Sequence, residues 1–468
     1  MNPTQSADGR FMRASDAFSW YMEGDPVLRS TVVAVAWLDR SPDWHTVVHK
    51  LEHATRLVPM FRQRVMDLPG RITPPRWTDV ADFDLSWHLS RLDAPDPRDD
   101  SVVMDLARRE AMTGFDRAHP LWRFHLVEHL DGGRAALVMK LHHSLTDGLG
   151  GIQLALMLFD SGPEPAPAAD APIPPVENPP RGRTLLAERI AWRTAASASF
   201  LARRARSTLP DAWSVVRDPI GSSGGFARDV ASVARTVAPV RSTMSPVMTG
   251  RSLKRHLATV SVPLDGLRAA AATVGASVND AFLTAVTGGL RRYHEMHECR
   301  VEQLRVTMPI SIRTANDPAG GNRITLMRFP LPVGEADPAR RMSEIRLRTR
   351  KARNEPSLPL TDAIAGALNL LPAGVVGSIL RNVDFVASDV PGFPHRVFLG
   401  GAAVERYEAF GPTTGTAANV TMLSYDGLCY VGVNVDTAAV PDPEDFVDCL
   451  RVGFEEVRLL GRSGGALR

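Results

Sequence analysis

Two periods of apolar and polar residues alternate along the chain. Residues 31–38, Thr-Val-Val-Ala-Val-Ala-Trp-Leu, form an apolar run of strand length. Residues 43–56 carry helical spacing behind the start signal Ser41-Pro42-Asp43. Residues 58–65 predict another extended segment, residues 100–112 a helix, and residues 121–128 alternate as a strand does. The turn Asp131-Gly132-Gly133 then leads into the short apolar strand 135–141, and residues 152–159 suit a packed helix. The pattern resumes at residue 254. It predicts a strand at 256–262, a long helix at 279–293, and strands at 305–310, 325–329, 383–386, 419–424 and 428–435. Strands, helices and short turns mixed in this way point to α/β sandwiches.

Between these two patterned stretches the composition changes. Residues 161–180 are rich in Pro, Ala and Asp, a linker signature. With 468 residues the chain exceeds one ordinary core. It divides into a first unit at 1–160, a linker and basic helical segment at 161–250, and a second unit at 251–468. The middle segment carries many arginines, with helical spacing near Leu185, Ile190, Trp192, Phe200 and Leu201. It reads either as a bridging helix solvated by arginine or as a basic face resting on anionic lipid or a lipid droplet. Gly221 to Gly225 reads as a flexible break.

Composition adds mostly exclusions. Hydrophobic residues make up 44% and charged residues 23%, against both disorder and a membrane-spanning protein. A net charge of +2 gives no reason to expect nucleic acid. Cys299, Cys429 and Cys449 are widely spaced and odd in number, so they make neither a disulfide frame nor a zinc pattern, and a reducing cytosol is expected. Residues 1–20 lack the apolar core of a signal peptide. The best candidate span, residues 363–380, is interrupted by Asn369 and Pro372 and barely reaches the roughly 20 residues needed. The chain reads as soluble, with contact to a membrane surface left open.

The chemistry gathers at Leu141-His142-His143-Ser144-Leu145-Thr146-Asp147-Gly148, where a strand ends and a helix is about to begin. Rigid elements on both sides hold such a loop. Successive strand residues face opposite ways, so one imidazole faces a channel while the other packs. HHxxxDG fixes four positions, and its chance appearance in such a chain is on the order of one in a thousand. An imidazole near neutral pKa takes a proton from a hydroxyl and returns one to a leaving group. Asp147 can brace the loop by pairing with an arginine. The plainer reading is a satisfied core histidine followed by a helix-capping aspartate. Other motifs are weak. Gly461-Arg462-Ser463-Gly464-Gly465 matches GxSxG but reads as a loose tail with no helix after it. His294-Glu295-Met296-His297 lacks the i, i+4 spacing of zinc proteases, and no metal site is expected. A reaction without an enzyme nucleophile fits best, in which an activated acceptor attacks an activated carbonyl.

The chain resembles the bacterial bifunctional wax ester synthase/diacylglycerol acyltransferases, which are similar in turn to chloramphenicol acetyltransferase and peptide-synthetase condensation domains. Beyond HHxxxDG, the resemblance rests on Pro120-Leu121-Trp122, Asn279-Asp280, Met308 to Arg313 and Gly321-Asn322. It continues through Ser388-Asp389-Val390-Pro391-Gly392 and Ser424-Tyr425-Asp426-Gly427, so it spans about residues 15–446. It implies two chloramphenicol-acetyltransferase-like α/β domains with a tunnel between them. Acyl-CoA, a substrate rather than a cofactor, enters from one side and diacylglycerol or a fatty alcohol from the other. Residue by residue, it implies His143 as general base and Asp147 as the structural aspartate, with His142, Gly148 and Asp280 in support. Asn279 becomes a donor to the tetrahedral oxyanion, although Asn279 as the cap of the long helix is an equal reading. Pro120, Leu121 and Trp122 shape the acyl tunnel. Two departures stand out: Gly24 to Thr31 replaces the family's usual strand start, and Asp389 replaces its usual Asn. Both bear on substrate choice. The implied activity is acyl transfer to make triacylglycerol or wax ester. The rivals are a condensation-type acyltransferase taking its acyl group from a carrier protein, and a non-catalytic lipid-binding or droplet protein.

Overall fold

A computed structural model describes residues 10–71, 73–145, 148–164, 171–172, 175–177, 182–194, 240–311, 324–355 and 361–465. In the first half the strands are β1 (Thr31–Leu38), β2 (Gln63–Met66), β3 (Arg76–Asp79), β4 (Leu89–Asp93), β5 (Trp122–Glu128) and β6 (Ala135–His142). The second half supplies β7 (Arg255–Pro263), β8 (Gln303–Ser311), β9 (Ile324–Pro332), β10 (Phe385–Val390) and β11 (Phe398–Leu399). It ends with β12 (Ala402–Phe410), β13 (Ala418–Tyr425) and β14 (Leu428–Asp436).

They form two six-stranded sheets, ordered β11-β12-β1-β6-β5-β4 and β7-β14-β13-β10-β8-β9, with β2 and β3 paired separately. The expected mixed α/β architecture is present. One connection was not expected. Strands β11 and β12 leave the second half of the chain and join the first sheet, where β12 runs antiparallel to β1 with Val33 opposite Phe410. Their neighbours in sequence, β10 and β13, pair with each other in the second sheet. The sheets approach closely there: a Cβ on Gly432 of β14 would stand 2.1 Å from the Ala409 carbonyl oxygen of β12.

The second core is built on the helix Val278–Met296, most of whose side chains are buried. It crosses the helix Pro443–Gly465 where a Cβ on Gly453 would stand 2.3 Å from the Ala285 carbonyl. Only glycine permits that approach. The GxSxG stretch thus ends a helix instead of forming a loose tail, and Gly461 packs against Ala269 and Ala270 of the helix Leu264–Thr273. Other expectations shift for local reasons. In the segment 58–65, Pro59 starts a 3-10 turn over Pro59–Arg62 before β2 begins. The apolar stretch 363–380 is two short helices, Thr361–Leu368 and Ala373–Leu380, broken at Pro372. No single helix among the described residues is long and apolar enough to cross a membrane. Residues 182–194 are helical and lie against the first unit, with Trp192 facing Phe11 at 5.6 Å and Glu188 paired to Arg10 and Arg76. Phe200, Leu201 and Gly221 to Gly225 lie outside the described residues.

Candidate active site

The two histidines separate as strand geometry requires. His142 is the last residue of β6, and Thr31 of β1 stands opposite it. His143 begins the turn beyond, its N–H donating to the Ser30 carbonyl at 2.9 Å. His142 is fully buried, with Trp20 and Phe115 meeting its ring edge-on at 5.9 and 5.7 Å. Its Nδ1 accepts from the Ser144 backbone N–H at 3.1 Å and lies 2.7 Å from the Ser144 hydroxyl. A nitrogen that accepts from an amide carries no proton, which places the ring proton on Nε2. That atom faces the buried carboxylate of Glu23 at 3.5 Å. Glu23 also accepts from the Ser30 N–H at 3.4 Å, so one carboxylate secures the ends of both strands.

His143 instead lines a cavity of about 300 Å³ between the sheets. β1, β5, β6 and β12 form one wall; β8, β9, β10 and β13 form another. The helices Ala14–Met22, Trp44–Leu57 and Gly148–Leu158, with the pair between 361 and 380, close it. Most lining side chains are apolar, among them Phe18, Phe61, Phe124, Met139 and Leu423. The polar ones are partly tied to one another: the Thr421 hydroxyl donates to Asn419 Oδ1 at 2.7 Å, and Asn419 Nδ2 donates to the Pro412 carbonyl at 2.8 Å. Arg328 brings a cation to this wall, and burial beside Arg305 lowers its pKa to about 10. It stays protonated at neutral pH. Arg328 and Ser30 carry no motif, and sequence reasoning missed both.

The other expected site residues scatter around this centre. Asp147 lies outside the described residues, and Gly148 opens the helix Gly148–Leu158. Asn279 is not the helix cap: Ser277 is, and its side chain completes a capping box with Asp280. Asp280 accepts from the Ser277 N–H and hydroxyl, and from the Thr349 hydroxyl at 2.7 Å. Asn279 sits in the first turn, 6% exposed, with both amide atoms lacking a partner among the described residues. Neither Asn279 nor Asp280 is in the cavity wall.

Pro120, Leu121 and Trp122 stand one layer behind it. The Leu121 carbonyl accepts from the His142 N–H at 3.0 Å, and the Trp122 indole N–H donates to the Phe61 carbonyl at 2.9 Å. Phe61 and Phe124, which touch the Trp122 ring, form the wall themselves. On its other face Trp122 stacks on His88 at 4.5 Å, and burial there lowers the His88 pKa to about 4. Asp389 alternates away from Ser388 and Val390, which face the cavity, and its side chain is exposed. Among the described residues no cluster of His, Cys, Asp and Glu is arranged to hold a metal.

The fold agrees with comparisons to known proteins. Residues 12–282 match the profile of the wax ester synthase/diacylglycerol acyltransferase catalytic domain, and residues 320–458 that of the WS/DGAT C-terminal domain. A protein of Mycobacterium tuberculosis H37Rv, provisionally named a diacylglycerol O-acyltransferase, is 34% identical over 448 residues, covering 95% of this chain and 90% of its own. A second such protein from the same strain is 28% identical over 476 residues, covering 97% and 98%. Among solved structures, the wax ester synthase/diacylglycerol acyltransferase of Marinobacter aquaeolei VT8 superposes with a TM-score of 0.62 at 19% identity, covering 97% of this chain and 99% of its own. The first condensation domain of the calcium-dependent antibiotic synthetase gives 0.61 at 14% identity, covering 97% of each chain. At those identities the structural likeness speaks for the fold.

Proposed function

The chain belongs to the wax ester synthase/diacylglycerol acyltransferase family, and on that premise we propose that it moves a long-chain acyl group from acyl-CoA to diacylglycerol or a fatty alcohol. The observation that carries this reading is the placement of His143 in the wall of an otherwise mainly apolar cavity between the sheets. An acyl chain is at home there, and an imidazole is the group able to activate a hydroxyl beside it. His143 takes the proton of the acceptor hydroxyl, and that oxygen bonds to the thioester carbonyl carbon. The tetrahedral oxyanion then collapses, the C–S bond breaks, and the departing CoA sulfur takes the proton back from His143. The route needs neither a metal nor a covalent acyl-enzyme. By resemblance, Asp147 braces the histidine loop and Asn279 is the oxyanion donor, although its amide stands outside the wall of the cavity that His143 lines. The second imidazole holds the first in place: the Glu23–His142–Ser144 chain fixes the strand end from which His143 projects.

Pure protein given labelled acyl-CoA and a panel of alcohols, sterols and acylglycerols, with products identified by mass, tests the activity. His143→Ala should lower ester formation by about a thousandfold, the scale of general-base catalysis. Full ester formation by that variant would refute the mechanism.

The acceptor's own phase is the partner we assign to the helix at 182–194. Its Leu186 and Ile190 are 56% and 57% exposed, beside exposed Arg183 and Arg193, a pairing suited to an anionic lipid surface. Sedimentation with vesicles checks it. Cys299, Cys429 and Cys449 are free thiols, in keeping with a peripheral protein on the cytosolic side.

A further inference from the structure

We propose that a polar cleft on the far side of the helix Ala14–Met22 binds the nucleotide end of the acyl-CoA donor, the adenosine with its 3′-phosphate and diphosphate. This rests on the acyltransferase reading and assigns a second site to the same substrate. Acyl-CoA has two incompatible ends. Its acyl chain suits the cavity beside His143, but a multiply charged nucleotide does not, because charge leaves water only when it is paired.

The helix Ala14–Met22 divides the two environments. Phe18 and Met22 face the apolar cavity, whereas Trp20 and Tyr21 face a cleft of about 620 Å³. Asp25, Asp67, Arg71 and Arg117 complete that cleft. Its cations are positioned by aromatic rings. The Arg71 guanidinium lies 4.4 Å from the centre of the Tyr21 ring, and that of Arg117 lies 4.8 Å from the centre of Trp20. Trp20 Nε1 and Arg117 Nη1 both donate to Asp67, at 2.7 and 3.1 Å, which fixes ring and cation together. Arg71 donates to the Leu371 carbonyl at 3.0 Å and makes no carboxylate pair among the described residues. At the rim, Arg189 donates to the Pro69 carbonyl at 2.7 Å, and Arg381 pairs with Asp25. Four guanidinium groups therefore meet two carboxylates, leaving an excess of positive charge.

Guanidinium planes held on aromatic rings match an adenine bearing phosphates: the planar cations accept stacking and their N–H groups donate to phosphate oxygens, while the buried Trp20 ring fixes Arg117 in place. The two sites also lie close together. Trp20 in the cleft meets His142 at 5.9 Å between ring centres, and His143 follows directly in the chain. One helix diameter, about 10 Å, separates cleft from cavity, and the pantetheine arm of CoA is the part of the donor built to span such a gap. Gly24, Asp25 and Pro26, part of the stretch that departs from the family pattern, line this cleft. The departure thus reaches both sites, because Leu28 and Ser30 of the same stretch line the cavity beside His143.

The test uses the full chain and two readouts. Adenosine 3′,5′-bisphosphate should quench tryptophan fluorescence on binding, and Arg71→Ala and Arg117→Ala should each weaken that binding about tenfold. In ester assays the same variants should raise KM for acyl-CoA by a similar factor while kcat stays, with acyl-pantetheine, which lacks the nucleotide, used as before. Arg71→Lys and Arg117→Lys, which keep the charge, should recover part of the affinity. No binding of the bisphosphate by the unaltered protein would overturn the cleft assignment whatever the ester assay shows. Equal losses with acyl-CoA and acyl-pantetheine would overturn it too, since they would mark a structural effect. Bisphosphate binding without ester formation on any acceptor would overturn the acyltransferase reading alone and leave the cleft standing.

Discussion

Asn279 carries a cost that its neighbours avoid. Ser277 and Asp280 satisfy one another in the capping box, while the Asn279 amide is buried with neither polar atom paired among the described residues. An unpaired buried amide costs about 1–3 kcal/mol. The family resemblance offers that amide a use as an oxyanion donor. Asn279→Leu, close in volume and without polar atoms, is therefore expected to melt at the same temperature or higher. Its kcat should fall about a hundredfold, the usual effect of losing one oxyanion donor. A variant that melts lower yet turns over normally would show that the amide serves the fold. At this scale the histidine pair was the legible part. Two adjacent histidines ending a strand told of one packed ring and one facing a channel, because strand alternation allows little else. The same sequence left the Asn279 cap reading open, and only the Ser277 hydrogen bond closed it. Arg328 and Ser30 stayed hidden since each is a single residue inside ordinary strand sequence, and their importance lies in what the other sheet brings opposite them.

Elements were legible where periodicity and burial agree. The strands β1, β6 and β14 are apolar runs packed into a core, and the helix Val278–Met296 announces itself by length and spacing. Strand β12 was missed because its sequence, Ala-Ala-Val-Glu-Arg-Tyr-Glu-Ala-Phe, looks charged. Those charges have partners that the linear pattern cannot show. Glu408 is buried and accepts from the Trp37 indole at 3.2 Å, while the Arg406 guanidinium lies 4.3 Å from the Trp37 ring centre. The helix at 182–194 shows the reverse case, a segment whose arginines allowed either a bridging or a lipid-facing reading. Its Trp192 face is docked, whereas Leu186 and Ile190 face outward. Leu186→Ser with Ile190→Ser should therefore reduce sedimentation with anionic vesicles while leaving turnover of a short, water-soluble alcohol unchanged. Equal sedimentation of variant and parent would leave the bridging role as the better account.

At the scale of the whole molecule, the return of β12 to the first sheet matters most. Without it β1 becomes an edge, and an apolar edge strand invites pairing between chains. Residues 1–250 expressed alone should aggregate, and co-expression with residues 251–468 should restore a soluble complex by supplying β12. A soluble first fragment with cooperative unfolding would refute this. The sequence suggested a division at its Pro-rich stretch, but the crossing of β12 into the first sheet was not legible, because no local signal says which sheet a strand will join. The crossing also bears on how such a protein can change over generations. The second half finishes the first half's sheet, so the halves are not interchangeable cassettes: recombination that joins the front of one relative to the back of another must match the β1–β12 seam as well as the reading frame. New substrate ranges should then arise by point changes in the cavity and cleft far more readily than by exchange of whole lobes.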